Sequence, residues 1–481
     1  MNVTAALPPM IVATASVVAL VVGLLNGRAV RRMGPTAVGL VGLVAAGVMC
    51  VVLWGNRAEA FEGGYRSDHF SVLLNLLFLV CAAATLLLST REPAGVDRRG
   101  EYASLVLAST SGMMLVAGAG DLITLFLGVE VLSVALYVLC ALEVWRERSL
   151  EAGLKYLIVG AVGSAILLYG LTFLFGATGS TKLSVIGDAL SVASFTREPL
   201  LLAAIALIAS GLAFKASAAP FHMWTPDVYE GAPTPITAFM ATATKIAAFA
   251  AFLRIFGGAL TDMAGAWQTP IAVVAAASVI VGNVGALAQN NMKRLLAYSS
   301  VAQAGYLLIG VAAGTLRGAE AVLYYLAAYV AMTLAAFAVV IIRERETEHG
   351  ETIQALAGYG RRRPLLGVTM TLAMLSLAGV PPLAGFVGKF LLFGAAVDQH
   401  LTWLAVIGAI GSAISLGYYL RVLKVMWLDA PEGAGTAMVL GVPVPVALSA
   451  AVSAIAIVAM GIVASPLVDV CRQAASSLLA A

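Results

Sequence analysis

The chain has 481 residues, 61% of them hydrophobic and only 11% charged, with a mean hydropathy of +0.97. A soluble globular domain carries about 25% charged residues, so this composition excludes one and reads as a polytopic membrane protein. The formal net charge of +3, spread along the chain, excludes a nucleic-acid-binding surface.

About 20 apolar residues suffice for a helix to cross the hydrocarbon. On that basis the chain reads as an all-α protein of about 14 transmembrane helices, centred near Val17, Ala45, Phe78, Met113, Val131, Ala165, Ile208, Thr242, Val279, Ala304, Tyr329, Leu377, Ser412 and Ile455. Helix 1 follows no basic residue and opens on Pro8 and Pro9, so it lacks the charged start of a signal peptide and is expected to stay in place. The stretch from Pro199 to Tyr229 is too long for one span, roughly 45 Å at ~1.5 Å per residue, and it contains Pro220 and Pro226. Helix 7 is therefore expected to be broken. The stretch from Pro364 to Val397 repeats the design around Pro381 and Pro382, which makes helix 12 the second broken helix. These two are five helices apart and cross in opposite directions. Two inverted five-helix repeats follow, helices 4–8 and 9–13, a pattern that points to a transport site near the membrane midplane. The chain then divides into an N-terminal part at 1–100, a first repeat at 101–256, a second at 257–427, and a C-terminal helix 14 at 428–481.

Basic residues favour cytoplasmic loops. If the N-terminus lies outside, the inner loops collect Arg28, Arg31, Arg32, Arg91, Arg98, Arg99, Arg146, Arg148, Lys155, Lys293, Arg294, Arg343, Arg345, Arg361, Arg362, Arg363, Arg421 and Lys424. The outer segments keep Arg57, Arg66, Lys182, Arg197, Arg254, Arg317 and Arg472, so both termini are expected outside. The tryptophans fall near helix ends, where an interfacial aromatic belt accounts for them.

Four charges remain inside apolar spans: Glu130, Lys215, Lys245 and Lys389. A charge at the bilayer centre costs about 2.5–3.5 kcal/mol on insertion scales, so four of them point to use, and one acid with several bases suits proton movement. Glu130 lies nine residues after Asp121, roughly 13 Å into helix 5, with Ser133 and Tyr137 on the same face. Lys245 lies among the small residues of the run from Met240 to Thr244, at a depth from which a lysine cannot easily reach water. Lys215 precedes Pro220 by five residues and Lys389 follows Pro382 by seven, so each break has a lysine beside it. Asp121, Glu143, His222 and His349 rank lower, as interfacial or loop positions. The reading that glutamate and lysine merely glue helices together stays open on these residues alone.

The four cysteines form no CxxC pair, the four histidines show no metal-ligand spacing, and no GxxxxGK[ST] loop is present, so no disulfide, metal, cluster or nucleotide site is expected.

Four runs together carry a resemblance: DLITLFLGVEVLSVALY from Asp121 to Tyr137, GLAFKASAAPFHMWTPDVYEGAPTP from Gly211 to Pro235, KRLLAYSS from Lys293 to Ser300, and LAGVPPLAGFVGKF from Leu377 to Phe390. From about helix 3 to helix 13 the chain resembles the subunit N family of bacterial NADH-quinone oxidoreductase, respiratory complex I. The related L, M and antiporter subunits usually read PDAH where this chain has the run from Pro226 to Tyr229. Subunit L also ends in a long lateral helix, whereas this chain is expected to stop after helix 14.

The resemblance implies a fourteen-helix antiporter-like subunit of the bacterial inner membrane, next to K- and M-type subunits. It implies no redox cofactor on this chain, with FMN, iron-sulfur clusters and quinone elsewhere in the complex. It also makes Glu130 and Lys215 a charged pair, Lys245 the central relay lysine and Lys389 the lysine of the second half-channel. One departure is Gln303, where members often have histidine. Glutamine does not titrate, so a relay there would run by water, Tyr298 or Tyr306. The alternatives are a subunit of a cation/proton antiporter, using the same charges, and a passive scaffold.

Overall fold

The computed structural model describes residues 3–89, 95, 98–192, 198–347, 349–430 and 441–479. Arg91 and Arg197, two of the basic residues used to orient the chain, lie outside the described residues, as does the stretch 431–440 just beyond the expected boundary at 428.

The helices run in chain order as α1 (Leu7–Leu24), α2 (Arg28–Leu53), α3 (His69–Leu88), α4 (Arg99–Ala117), α5 (Leu122–Cys140), α6 (Glu147–Thr178), α7 (Leu183–Val192), α8 (Pro199–Lys215), α9 (Trp224–Gly231), α10 (Thr234–Phe239), α11 (Lys245–Arg254), α12 (Ala264–Leu287), α13 (Met292–Ala313), α14 (Leu316–Glu346), α15 (Tyr359–Arg362), α16 (Pro364–Ala378), α17 (Ala384–Asp398), α18 (Thr402–Trp427), α19 (Val444–Ile462) and α20 (Ser465–Leu479). A short antiparallel hairpin, β1 (Ala58–Ala60) with β2 (Tyr65–Ser67), joins α2 to α3. Among the described residues eleven helical stretches are long and apolar enough to cross a membrane, and α8 and α16 are shorter apolar helices.

Side-chain chemistry sets several helix starts. Asp121 caps α5 by accepting from the Thr124 backbone N–H at 2.6 Å, and Asp68 caps α3 by accepting from Ser71 at 2.7 Å. Both satisfy amides that a helix start leaves without an intrahelical partner. α10 and α11 are parts of one span, Thr234–Ala259, joined by a π-helical turn over Met240–Thr244 directly before Lys245. That span and α14 are buried along their most apolar windows, and α13 nearly so, which places them at the centre of the bundle.

Both expected breaks are present. Between α8 and α9 the chain turns through Ser217, at φ +61°, and a cis Ala219–Pro220 bond. Ser278 of α12 holds this turn by accepting from the Ala219 N–H at 2.8 Å. Between α16 and α17 it turns through Gly379 and a cis Pro381–Pro382 bond. Gly379 has φ +90°, a left-handed conformation that glycine adopts without a Cβ penalty.

Four expectations are corrected. The chain does not stop after α19, which corresponds to helix 14: α20 follows and packs on α3 and α14. Trp224 and Trp267 are not belt residues but are buried, and the Trp267 indole N–H donates to the Leu260 carbonyl at 2.8 Å. Arg254, counted among outer-segment charges, is buried and paired with Asp68 at 2.8 Å. Lys293, counted in an inner loop, is fully buried, and its Nζ donates to the Ala232 carbonyl at 2.7 Å. These groups lie near helix ends in sequence, but their side chains run back into the bundle, which a count along the chain does not register.

Candidate proton-relay site

The first of the four intramembrane charges sits at the middle of α5. Glu130 is partly buried, and its Oε1 is shielded from solvent without a hydrogen-bond partner. One turn on, Ser133 donates to the Val129 carbonyl at 2.5 Å and accepts from Lys215 Nζ at 2.8 Å. Glu130 and Lys215 are thus brought onto one site through Ser133, with no direct bond between them. Tyr137 lies edge-on to Tyr156 at 4.9 Å between ring centroids, and Tyr156 stacks on Trp224 at 4.7 Å. A cavity of about 10 Å³ lies between Lys215 and Thr244, with Tyr156 and Leu212 among its lining. That is roughly the room one water needs.

Lys215 is the last residue of α8, and the carbonyl of the next residue, Ala216, belongs to the break. Lys245 occupies it. Its Nζ donates to the Ala216 carbonyl at 3.1 Å and to the Ser300 carbonyl of α13 at 2.7 Å. The ammonium also faces the Tyr329 ring at 5.9 Å.

Lys389 does the same at the second break. Its Nζ donates to the Leu377 and Ala378 carbonyls at 2.9 and 3.1 Å, and to Ser412 Oγ at 2.9 Å. Ser412 in turn donates to the Ala378 carbonyl at 2.8 Å. The Tyr306 ring lies 4.4 Å from the Lys389 nitrogen. In both halves a buried lysine therefore satisfies the carbonyls freed where a helix stops. The C-terminal end of a helix carries partial negative charge, so it is a favourable place for a cation.

α13 links the two lysines. Ser300 accepts from Lys245, and its neighbour Ser299 shares a 2.5 Å hydrogen bond with the Tyr419 hydroxyl. Gln303 Nε2 donates to that hydroxyl at 3.4 Å and to the Leu377 carbonyl at 3.3 Å, the carbonyl that also takes Lys389. Tyr325 donates to Gln303 Oε1. Gln303 is thus held among Tyr419, Tyr325 and the Leu377 carbonyl. Tyr306, one of the two expected detours, instead accepts from Asn283 at 3.1 Å, and Tyr298, the other, packs near His222 with ring centroids 6.5 Å apart.

Sequence reading missed Ser299, Ser412, Tyr325 and Tyr419. Their one local signal was a hydroxyl inside an apolar span, which many packing serines and tyrosines share. Asp121 is the α5 cap and Glu143 pairs with Arg146 at 2.8 Å. Among the described residues no group of three or more His, Cys, Asp or Glu side chains could hold a metal.

Two broken helices crossing a buried helical core, each with a lysine on its freed carbonyls, define an antiporter-like transport subunit. Residues 119–415 match the family described as NADH:quinone oxidoreductase/Mrp antiporter, TM. NADH-quinone oxidoreductase subunit N of Trichlorobacter lovleyi is 42% identical over 436 residues, 90% of this chain and 89% of the relative. The chain belongs to the NADH-quinone oxidoreductase subunit N family. A chain of respiratory complex I from Thermus thermophilus with bound Aureothin matches at 37% identity and TM-score 0.83, over 96% of this chain and 98% of that one. A chain of the Mrp complex from Dietzia sp. has the same fold at TM-score 0.83 and 22% identity, over 99% and 98% of the two chains.

Proposed function

We propose that Glu130, Lys215, Lys245 and Lys389 form the proton relay of this complex I membrane subunit. The chain is an antiporter-like, proton-translocating subunit of NADH:quinone oxidoreductase, a multi-pass protein of a respiratory complex. The observation that carries the relay is the series of polar contacts from Ser133 and Lys215, through Lys245 and α13, to Lys389 and Ser412, joined along the backbone at Lys215–Ala216 and at Ser299–Ser300. Lysine suits each station because it can hold a proton or release one, which arginine does not. The non-helical turns beside Lys215 and Lys389 fit a transport site, since irregular backbone at membrane depth belongs where protein buries it or a cavity meets it.

The finer architecture belongs to the same proposal: fourteen spans, inverted repeats over helices 4–8 and 9–13, and the division at 100, 256 and 427. FMN, iron-sulfur clusters and quinone are assigned to other subunits, and K- and M-type subunits are the proposed neighbours. A cation/proton antiporter is the weaker reading, because the likeness to the Mrp chain concerns fold alone whereas subunit N relatives reach 45% identity.

Lys389→Met is expected to leave the complex assembled while proton pumping and quinone reduction fall together. Inside-out vesicles driven by NADH report both. Pumping at the parental rate would remove Lys389 from the relay.

The proposed orientation places both termini outside and Arg31, Arg32 and Arg361 to Arg363 in the cytoplasm. In intact cells, a single cysteine at position 362 is expected to resist an impermeant thiol reagent that labels residues 180–190. Labelling of position 362 from outside would reverse the orientation.

A further inference from the structure

A crevice of about 890 Å³ opens where α2 begins, between α2, the end of α3, the start of α4 and the start of α19. It lies away from the lysine path. Arg28, Arg32, Thr36 and Leu40 line it from α2, each four residues after the last and hence on one face of the helix. That stripe passes from charged to polar to apolar over roughly 18 Å at ~1.5 Å per residue, about the depth from headgroup into acyl chain. Leu87 and Pro445 supply apolar wall on the other side. Arg99 reaches across from α4 and donates through Nη1 to the Arg32 carbonyl at 2.9 Å, so a third guanidinium is held at the mouth. Arg28 and Arg32 are exposed, and no carboxylate is among the described residues lining the crevice.

We propose that this crevice binds one anionic phospholipid, with its phosphate at Arg28 and Arg32 and its acyl chains along Leu40, Leu87 and Pro445. The charge complementarity is specific to an amphiphile. A free phosphate would find the guanidinium groups but leave the apolar wall empty, and a zwitterionic lipid would bring a choline cation to the arginines. Arginine matches a phosphate with paired N–H donors, and basic pockets between transmembrane helices hold anionic headgroups.

The test uses the purified, assembled complex in neutral detergent with a diazirine-tailed phosphatidylglycerol, and the crosslinked peptides are identified by mass spectrometry. Label is expected on residues 28–40 and near Leu87. Unlabelled phosphatidylglycerol should compete for it, while phosphatidylcholine and glycerol 3-phosphate should not. Arg28→Gln with Arg32→Gln is expected to weaken the competition roughly 30-fold, the combined effect of two basic side chains at a membrane surface. Arg28→Lys with Arg32→Lys should retain most of it, and both variants are checked for assembly on a native gel. Equal labelling by a phosphatidylcholine probe, competition by glycerol 3-phosphate, or no label in a complex where a neighbouring subunit covers the crevice would each overturn the proposal.

Discussion

Lys245→Ala and Lys245→Arg are both expected to lower coupled quinone reduction by roughly two orders of magnitude, the scale of a positioned proton-transfer group. The two variants fail for different reasons. Alanine leaves the Ala216 carbonyl at the break without its donor, at about 1–3 kcal/mol for a buried unsatisfied group, and removes the second donor from the Ser300 carbonyl inside α13. Arginine can keep donors on those carbonyls, but it remains protonated. If Lys245 only tied the first break to α13, arginine would preserve much of the activity; if Lys245 passes a proton on, arginine stops it. Assembly on a native gel separates a folding loss from a transfer loss, and NADH:quinone reductase rates in membranes give the comparison. Parental rates in the arginine variant would assign Lys245 a structural role.

Glu130→Gln and Lys215→Met are each expected to impair coupled activity, and the double variant is expected to fall far short of the sum of the two losses. Ser133 is bonded to Lys215 and stands on α5 one turn from Glu130, whose buried Oε1 has no partner. Opposite charges this placed interact most strongly when they approach directly, so each mutation removes the same interaction and the second removes little more. Ser133 also predicts the sign of a third measurement: Ser133→Ala should reduce the coupling between Glu130 and Lys215 without adding or removing a titrating group. Additive losses in fully assembled complexes would mean that the two residues act independently.

The spans, the two breaks and the four intramembrane charges were legible because each has a local cause. Apolar length, proline and a charge far from any interface can all be read within one segment. The partners of those charges could not be read that way. Ser412 lies 23 residues from Lys389 and Ser300 lies 55 from Lys245, and the contacts exist only because helices cross at the breaks. Gln303 was legible as a residue without a titrating group, but Tyr419 beside it comes from 116 residues away. The π-helical turn before Lys245 left no trace, since small residues and threonines also suit an ordinary helix. Trp224 shows the opposite failure. An indole near a helix end suits a lipid interface by composition, yet its neighbours Tyr156 and Phe214 draw it into the first site.

The central claim is that protons pass through these buried lysines during quinone reduction. The direct measurement is the NADH-driven pH gradient, followed with a pH-sensitive dye in inside-out vesicles that hold equal amounts of assembled parental or Lys245→Arg complex. The relay predicts an initial rate of acidification roughly two orders of magnitude below the parental rate, the scale of one blocked proton transfer, with reductase activity reduced alongside it. A gradient formed at the parental rate by the arginine complex would contradict it.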